Sequence, residues 1–251
     1  MSDAPHTTDA PTVVLVHGAF ADGSSWAGVI ERLQRRGVTT IAVANPLRGI
    51  SADSAYVASV LSQTPGQVVA VGHSYGGAVI SNAAAGADNV VGLVFVAAFA
   101  PDEGELLGEV SAGSKDSVLN SALVPRQYPT PDGGTAVEFA IDPAKAREAF
   151  AGDLSDEQAA LIAAVQRPVA ELAFSEPNGP PAWRSKPSWA VVATGDKAAG
   201  TDLVRSMAER AGATITEVAG SHVIMVSQPD AVADVILEAV ASIGAPVGAA
   251  G

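Results

Sequence analysis

The sequence contains no cysteine. Disulfides, thiol catalysis and thiolate metal sites are therefore excluded, while the compartment is left open by this criterion. Basic residues are scarce: 14 Lys and Arg stand against 27 Asp and Glu, a net charge of −13. Such a balance disfavours nucleic acid and anionic membranes as partners, and its expected role is solubility. No apolar run approaches the ~18 residues of a membrane span. The longest, residues 90–100, suits a buried strand. The first ten residues have neither a basic start nor an apolar core, so no signal peptide is expected and a cytoplasmic protein is the default. Internal repeats are also missing. Charged residues are only 16% and hydrophobic ones 48% of the 251, which permits a large core and fits one α/β domain with an insertion.

What is present is an alternation. Residues 1–11 read as a disordered leader. Thr12 to Val16 is a continuous β-branched run, as expected of a parallel strand buried on both faces. Ser24 or Ser25 is placed to cap a helix through Trp26, Val29, Ile30 and Leu33, stopped by Gly37. Residues 38–43 predict a second strand. Ser51 opens a helix with Tyr56, Val57, Val60 and Leu61 on one face, closed by Pro65-Gly66. A third strand, residues 67–71, a helix to about Gly86 and a fourth strand, residues 90–97, follow. The alternation resumes at residues 189–193, with a helix from about Asp202 to Ala211, a strand at 214–218 and a last helix at 229–243. Six strands with crossovers predict a mostly parallel, doubly wound sheet.

Between them, residues 101–187 break the rhythm. The opening is acidic and loop-rich, and Pro125, Pro129, Pro131 and Gly133-Gly134 read as irregular chain. Asp142-Pro143 marks one helix start. Ser155 to Gln158 is a capping box for another, with Leu154, Leu161, Ile162 and Val165 as its apolar face. The expected organisation is a core of residues 12–100 and 188–243, a helical cap or lid at 101–187, and a flexible tail at 244–251.

The chemistry centres on Gly72-His73-Ser74-Tyr75-Gly76-Gly77, a G-x-S-x-G pentapeptide between a buried strand and a helix. Such a corner projects a serine hydroxyl where a base can reach it. Serine is a weak nucleophile until a neighbour removes its proton. His6 lies in the leader, and His17 and His73 sit beside glycines at strand ends, where a structural ring is expected. His222 follows the last strand, on the same sheet edge as the serine, and is the candidate base. Asp196, just after the fifth strand, is the candidate acid that orients it; Asp102 is the alternative. Asp202 is expected to cap a helix. The developing oxyanion needs N–H donors, each worth about 3 kcal/mol. The backbone N–H groups of Tyr75 and Ala19 are placed to supply them.

Taken together, His17-Gly18-Ala19, Gly72 to Gly77, Ala97 to Asp102, Thr194 to Lys197 and Gly220-Ser221-His222 resemble the α/β-hydrolase superfamily. Within it, the pattern is similar to the small capped branch of plant methyl esterases, hydroxynitrile lyases and bacterial esterase-like hydrolases. The resemblance covers most of residues 12–243 and is weakest in the cap. It implies an α/β-hydrolase fold with Ser74 as nucleophile, His222 as base, Asp196 as acid, and Ala19 and Tyr75 as oxyanion donors. The lyase members carry a threonine at the position of Gly18 and a cyanide-stabilising lysine at that of Val223. This chain has neither, which favours ester hydrolysis. Many relatives have prolines after the acid where this chain has Ala198 to Thr201, so a less constrained acid loop is expected. The expected substrate is a small, largely apolar carboxylic ester, in a pocket lined by Phe20, Tyr75, Phe99, Leu123, Phe150 and Trp183. No metal or organic cofactor is called for, and a dianionic substrate is not expected. Lactone, thioester or lyase chemistry on the same residues is the alternative, with a non-enzymatic ligand-binding protein behind it.

Overall fold

The computed structural model describes residues 10–244. The leader and the tail expected from the sequence fall almost wholly outside these residues. The main sheet begins with β1 (Thr12–Val16), then α1 (Ala27–Arg35), β2 (Thr40–Val43), α2 (Ile50–Gln63), β3 (Val68–His73), α3 (Tyr75–Ala83) and β4 (Val90–Val96). The segment after β4 contains α4 (Leu107–Ala112), β5 (Leu123–Pro129), β6 (Thr135–Ile141), α5 (Ala146–Ala149), α6 (Asp156–Val165), β7 (Val169–Ala170) and α7 (Leu172–Ser175). The chain then returns with β8 (Ser188–Ala193), α8 (Thr201–Arg210), β9 (Thr214–Val218), α9 (Ile224–Ser227) and α10 (Pro229–Gly244).

Six strands form one sheet in the order β2-β1-β3-β4-β8-β9. Every pairing within it is parallel. The doubly wound sheet expected from the alternation is therefore present. Its central strands β1, β3 and β8 are buried almost throughout, because helices cover both faces. The strand order reverses between β1 and β3. The loops leaving these two strands thus flank the crevice where open α/β sheets bind ligands.

Several local expectations are corrected. Val38 belongs to the turn after α1: its N–H caps Leu33, so β2 starts at Thr40. Asp22, rather than Ser24 or Ser25, caps the first helical turn. Tyr56 is exposed; the buried face of α2 is Ile50, Asp53, Ser54, Val57 and Leu61. The largest departure is in the segment between β4 and β8. Besides its helices it holds a three-stranded antiparallel sheet, β5-β6-β7. Pro125 and Pro129 lie on β5, an edge strand of that sheet, where a missing N–H costs no ladder bond. The Gly133-Gly134 pair makes the hairpin turn. Asp142-Pro143 opens only a turn. The Asp142 carboxylate accepts the Ala144 N–H, and α5 starts after Lys145. The capping box at Ser155 is formed, but α6 buries Ala159 and Ala163 while Leu161 and Val165 are exposed.

Candidate active site

Ser74 occupies the corner between β3 and α3 with φ 53° and ψ −124°. Left-handed backbone costs a non-glycine residue about 1–3 kcal/mol and persists only where the surroundings impose it. Here they do so by closeness. A Cβ on Gly76 would lie 2.4 Å from the Val16 carbonyl oxygen, and one on Gly18 would lie 2.6 Å from the Ser74 Cβ. The corner and the loop after β1 are thus packed backbone to backbone. The Ser74 carbonyl accepts N–H groups of Gly77 and Phe99, which ties the corner to the chain leaving β4.

His222 lies in the loop between β9 and α9 and is almost fully buried. Its Nδ1–H donates to Asp196 Oδ2 over 2.8 Å. This leaves Nε2 as the nitrogen able to take a proton. Asp196 is also buried, and its Oδ1 accepts the N–H groups of Ala198 at 2.8 Å and Ala199 at 3.0 Å. The Asp196 loop is therefore held without prolines. Thr201 Oγ1 accepts the Asp196 N–H and donates to the Ala193 carbonyl, closing the turn from inside. The looser acid loop expected from the missing prolines is not found. Asp102 is elsewhere, paired with Arg184 at 2.6 Å. Asp202 lies in the first turn of α8, where its carboxylate accepts Ser114 Oγ–H and the Lys115 N–H rather than capping its own helix.

The remaining described histidines support the site from below. Neutral His73 donates its Nε2–H to the His222 carbonyl at 2.9 Å. Burial, reinforced by the nearby His222 ring, holds its pKa well below the usual value of 6.5. The two rings lie 4.7 Å apart, and Phe150 approaches His222 at 5.1 Å. His17 donates Nδ1–H to the Gly18 carbonyl and accepts Arg167 at Nε2; burial lowers its pKa.

Ser74, His222, Ala19 and Tyr75 all line one cavity of about 290 Å³. Among the described residues the N–H groups of Ala19 and Tyr75 have no protein acceptor, and the Ser74 hydroxyl makes no hydrogen bond to His222. Catalytic contacts often tighten only when substrate is bound. Phe20, Phe99, Leu123 and Phe150 line the same cavity. Trp183 does not. Its Nε1–H donates to the Pro101 carbonyl at 3.0 Å, which directs the indole into the base of the insertion. Sequence reasoning missed Phe139, Phe174, Leu119, Asn120, Glu171, Gly108 and five small serine and alanine positions of the lining. The signal was scarcity: the chain has six phenylalanines, and five of them line this cavity. Glu171 is the single carboxylate of the lining, and no Lys or Arg faces it.

Comparison with known proteins agrees with this architecture. The chain belongs to the alpha/beta hydrolase family, whose model matches residues 13–235. It is similar to the crystal structure of polyneuridine aldehyde esterase, with TM-score 0.78 and 21% identity over 92% of this chain and 99% of that one. A pyrethroid hydrolase from Sphingobium faniae JZ-2 superposes with TM-score 0.74 and 21% identity, covering 92% of this chain and 98% of the other. For the methylesterase MES16 from Arabidopsis the TM-score is 0.76 and the identity 19%, over 92% and 99%. At such identities the likeness is one of fold. No curated protein matches the chain.

Proposed function

We propose that this alpha/beta hydrolase cleaves small, largely apolar, uncharged carboxylic esters through an acyl-enzyme on Ser74. The observation that carries the reading is that His222, bound to the buried Asp196, shares one phenylalanine-lined cavity with a serine in left-handed backbone. His222 Nε2 takes the Ser74 proton as Oγ attacks the acyl carbon. Asp196 fixes the tautomer and stabilises the imidazolium. The N–H groups of Ala19 and Tyr75, both without an acceptor among the described residues, receive the oxyanion. Collapse expels the alcohol, protonated by His222, and a water activated by the same nitrogen releases the acid. Residues 101–187 act as the cap that closes the acyl pocket. The lack of Lys or Arg in the lining supports an uncharged substrate. Gly18 supports an esterase over a cyanohydrin lyase, since the wall at that position has no room for a side chain. The esterase, methylesterase and hydrolase names among the similar structures agree with this class.

The test is a chromogenic short-chain ester together with a fluorophosphonate probe. Turnover is expected, with one covalent adduct on Ser74, and Ser74→Ala should abolish both while leaving the unfolding midpoint nearly unchanged. An adduct on another residue, or turnover retained by Ser74→Ala, would sink the assignment.

A further inference from the structure

One buried carboxylate has no part in the chemistry above. Asp53 lies on the inward face of α2, fully buried. Burying a carboxylate is costly unless its oxygens are paired. Those of Asp53 are paired in an unusual way. Oδ2 accepts the Tyr75 phenol at 2.8 Å, and both oxygens accept the Arg48 N–H, at 3.0 and 3.1 Å. A longer contact of 3.5 Å comes from the Gly49 N–H. Tyr75 is the residue directly after Ser74, and its ring is itself buried. Burial and the adjacent carboxylate push the phenol pKa far up, so Tyr75 remains a donor at every working pH.

The second partner of Asp53, the turn at residues 47–49, is where the insertion grips the core. The Leu47 carbonyl accepts the Ala170 N–H of β7 at 2.9 Å. Arg48 pairs with Glu138 of β6 at 2.7 Å, and its guanidinium lies 4.5 Å over the Tyr128 ring of β5. Glu176, just past α7, accepts the Ser51 N–H. One carboxylate therefore joins the docking turn of the insertion to the first residue of α3.

We infer that Asp53 is a positioning residue, which holds Tyr75 and its backbone N–H in register with the turn that seats the insertion. The inference rests on the proposed role of that N–H as an oxyanion donor. An N–H aimed at developing charge is effective only when its direction is fixed before reaction. Tyr75 begins a helix, so a shift of its ring is passed to its own N–H with nothing preceding it in the helix to absorb the movement. An apolar residue in place of Asp53 would fill the space but leave the phenol and the Arg48 N–H without acceptors.

The experiment compares wild type, Tyr75→Phe, Asp53→Asn and Asp53→Leu. Each is measured for kcat and KM on a chromogenic ester, for inhibition by a trifluoromethyl ketone and for unfolding midpoint. The ketone forms a tetrahedral adduct whose oxygen needs the same donors as the transition state. Tyr75→Phe should lower kcat about tenfold with KM within about twofold, and weaken the ketone in proportion. Asp53→Asn keeps a carbonyl acceptor for the phenol and should restore most of what Asp53→Leu loses. A stability loss with kcat and ketone affinity unchanged in soluble Tyr75→Phe would overturn the inference, and so would Asp53→Asn behaving like Asp53→Leu in both. If Asp53→Leu does not fold, Tyr75→Phe alone decides, because it removes only one hydroxyl. Wild type that neither turns over esters nor binds the ketone would fell the esterase reading and this inference with it; an active wild type with an unaffected Tyr75→Phe fells only the inference.

Discussion

The serine corner and the loops that carry Asp196 and His222 are held in place by different means. At the corner, backbones touch. Gly76 and Gly18 leave no space for a Cβ, and Ser74 keeps its strained dihedrals because neighbours cannot move. The loops of Asp196 and His222 are held by polar bonds, several of them from the insertion. Ser117 Oγ–H donates to the Ala198 carbonyl, and the Val118 N–H to the Lys197 carbonyl. Asp153, before α6, accepts the Ser221 hydroxyl next to His222. Arg167, after α6, donates to the Asn45 carbonyl and to His17 beside Gly18 and Ala19. Closeness fixes a position with little tolerance. A polar tether fixes it by a modest net energy, of order 1 kcal/mol per bond. The corner should therefore fail abruptly on substitution and the tethered loops gradually, except where a tether is part of the chemistry.

Asp196 is that exception, and its loss should be the largest effect after that of Ser74. Asp196→Asn keeps the volume and the loop, yet presents an amide N–H where His222 needs an acceptor. A fall in kcat of about 10⁴ is expected from the wrong tautomer. Asp102→Asn, by contrast, should stay within about threefold, since its loss removes only a surface ion pair with Arg184. Steady-state kinetics on one ester decides. If Asp102→Asn is the damaging change, the acid has been misplaced.

Gly18→Thr attacks closeness directly. Its Cβ would meet both the Ser74 Cβ at 2.6 Å and the His73 carbonyl oxygen at 2.8 Å. Displacing a nucleophile by ~1 Å costs about 10²-fold in rate, and a loss of this size in kcat with little change in KM is expected. Crystal or labelling data showing Ser74 unmoved, with full activity, would mean that the corner yields more than its geometry allows.

Ser221→Ala and Asp153→Asn probe a tether without touching the site. Each should lower kcat only about two- to fivefold, in line with one polar bond of about 1 kcal/mol. The double variant should be no worse than the poorer single one, because the two groups share one interaction. Additive losses would show that they act separately.

This contrast also explains what could be read from the chain. The strand runs and the glycines around Ser74 are local and repeat a physical necessity, so six parallel strands and the corner were legible. The order of Ser74, Asp196 and His222, each just beyond a strand, placed them on one edge before any coordinates. The insertion was not legible for equally physical reasons. Prolines 125 and 129 signal irregular chain, yet an edge strand accepts them. The apolar residues Leu161 and Val165 suggest a buried face, yet α6 packs through the smaller Ala159 and Ala163. Ser117, Asp153 and Arg167 act over long sequence separations through single side chains, and nothing in their neighbourhoods marks them. Asp53 was detectable in principle. It shares a helical stripe with Ile50, Val57 and Leu61, and a charge on an apolar stripe requires a partner.

The smallest expected effect separates insertion from core by pH. Arg210 of α8 grips Glu105 of the insertion through two hydrogen bonds, of 2.5 and 2.7 Å. The guanidinium, opposed by partial burial, holds the Glu105 carboxyl below its usual 4.5. A depressed carboxyl contributes stability that is complete above the unfolded value and is lost as pH falls through the folded one. Both side chains are partly exposed, so screening keeps the contribution to about 1 kcal/mol or less. Asp53 has the opposite sign. Burial, offset in part by the Arg48 N–H and the Tyr75 hydroxyl, raises its carboxyl above 3.8, so the folded state takes up a proton first and gains stability as pH falls through that window. Glu105→Gln should therefore lower the unfolding midpoint slightly at neutral pH, with the difference from wild type vanishing below the folded Glu105 value. A difference that persists unchanged into acid would mean that Glu105 holds the insertion by packing, and that this tether belongs with closeness rather than charge.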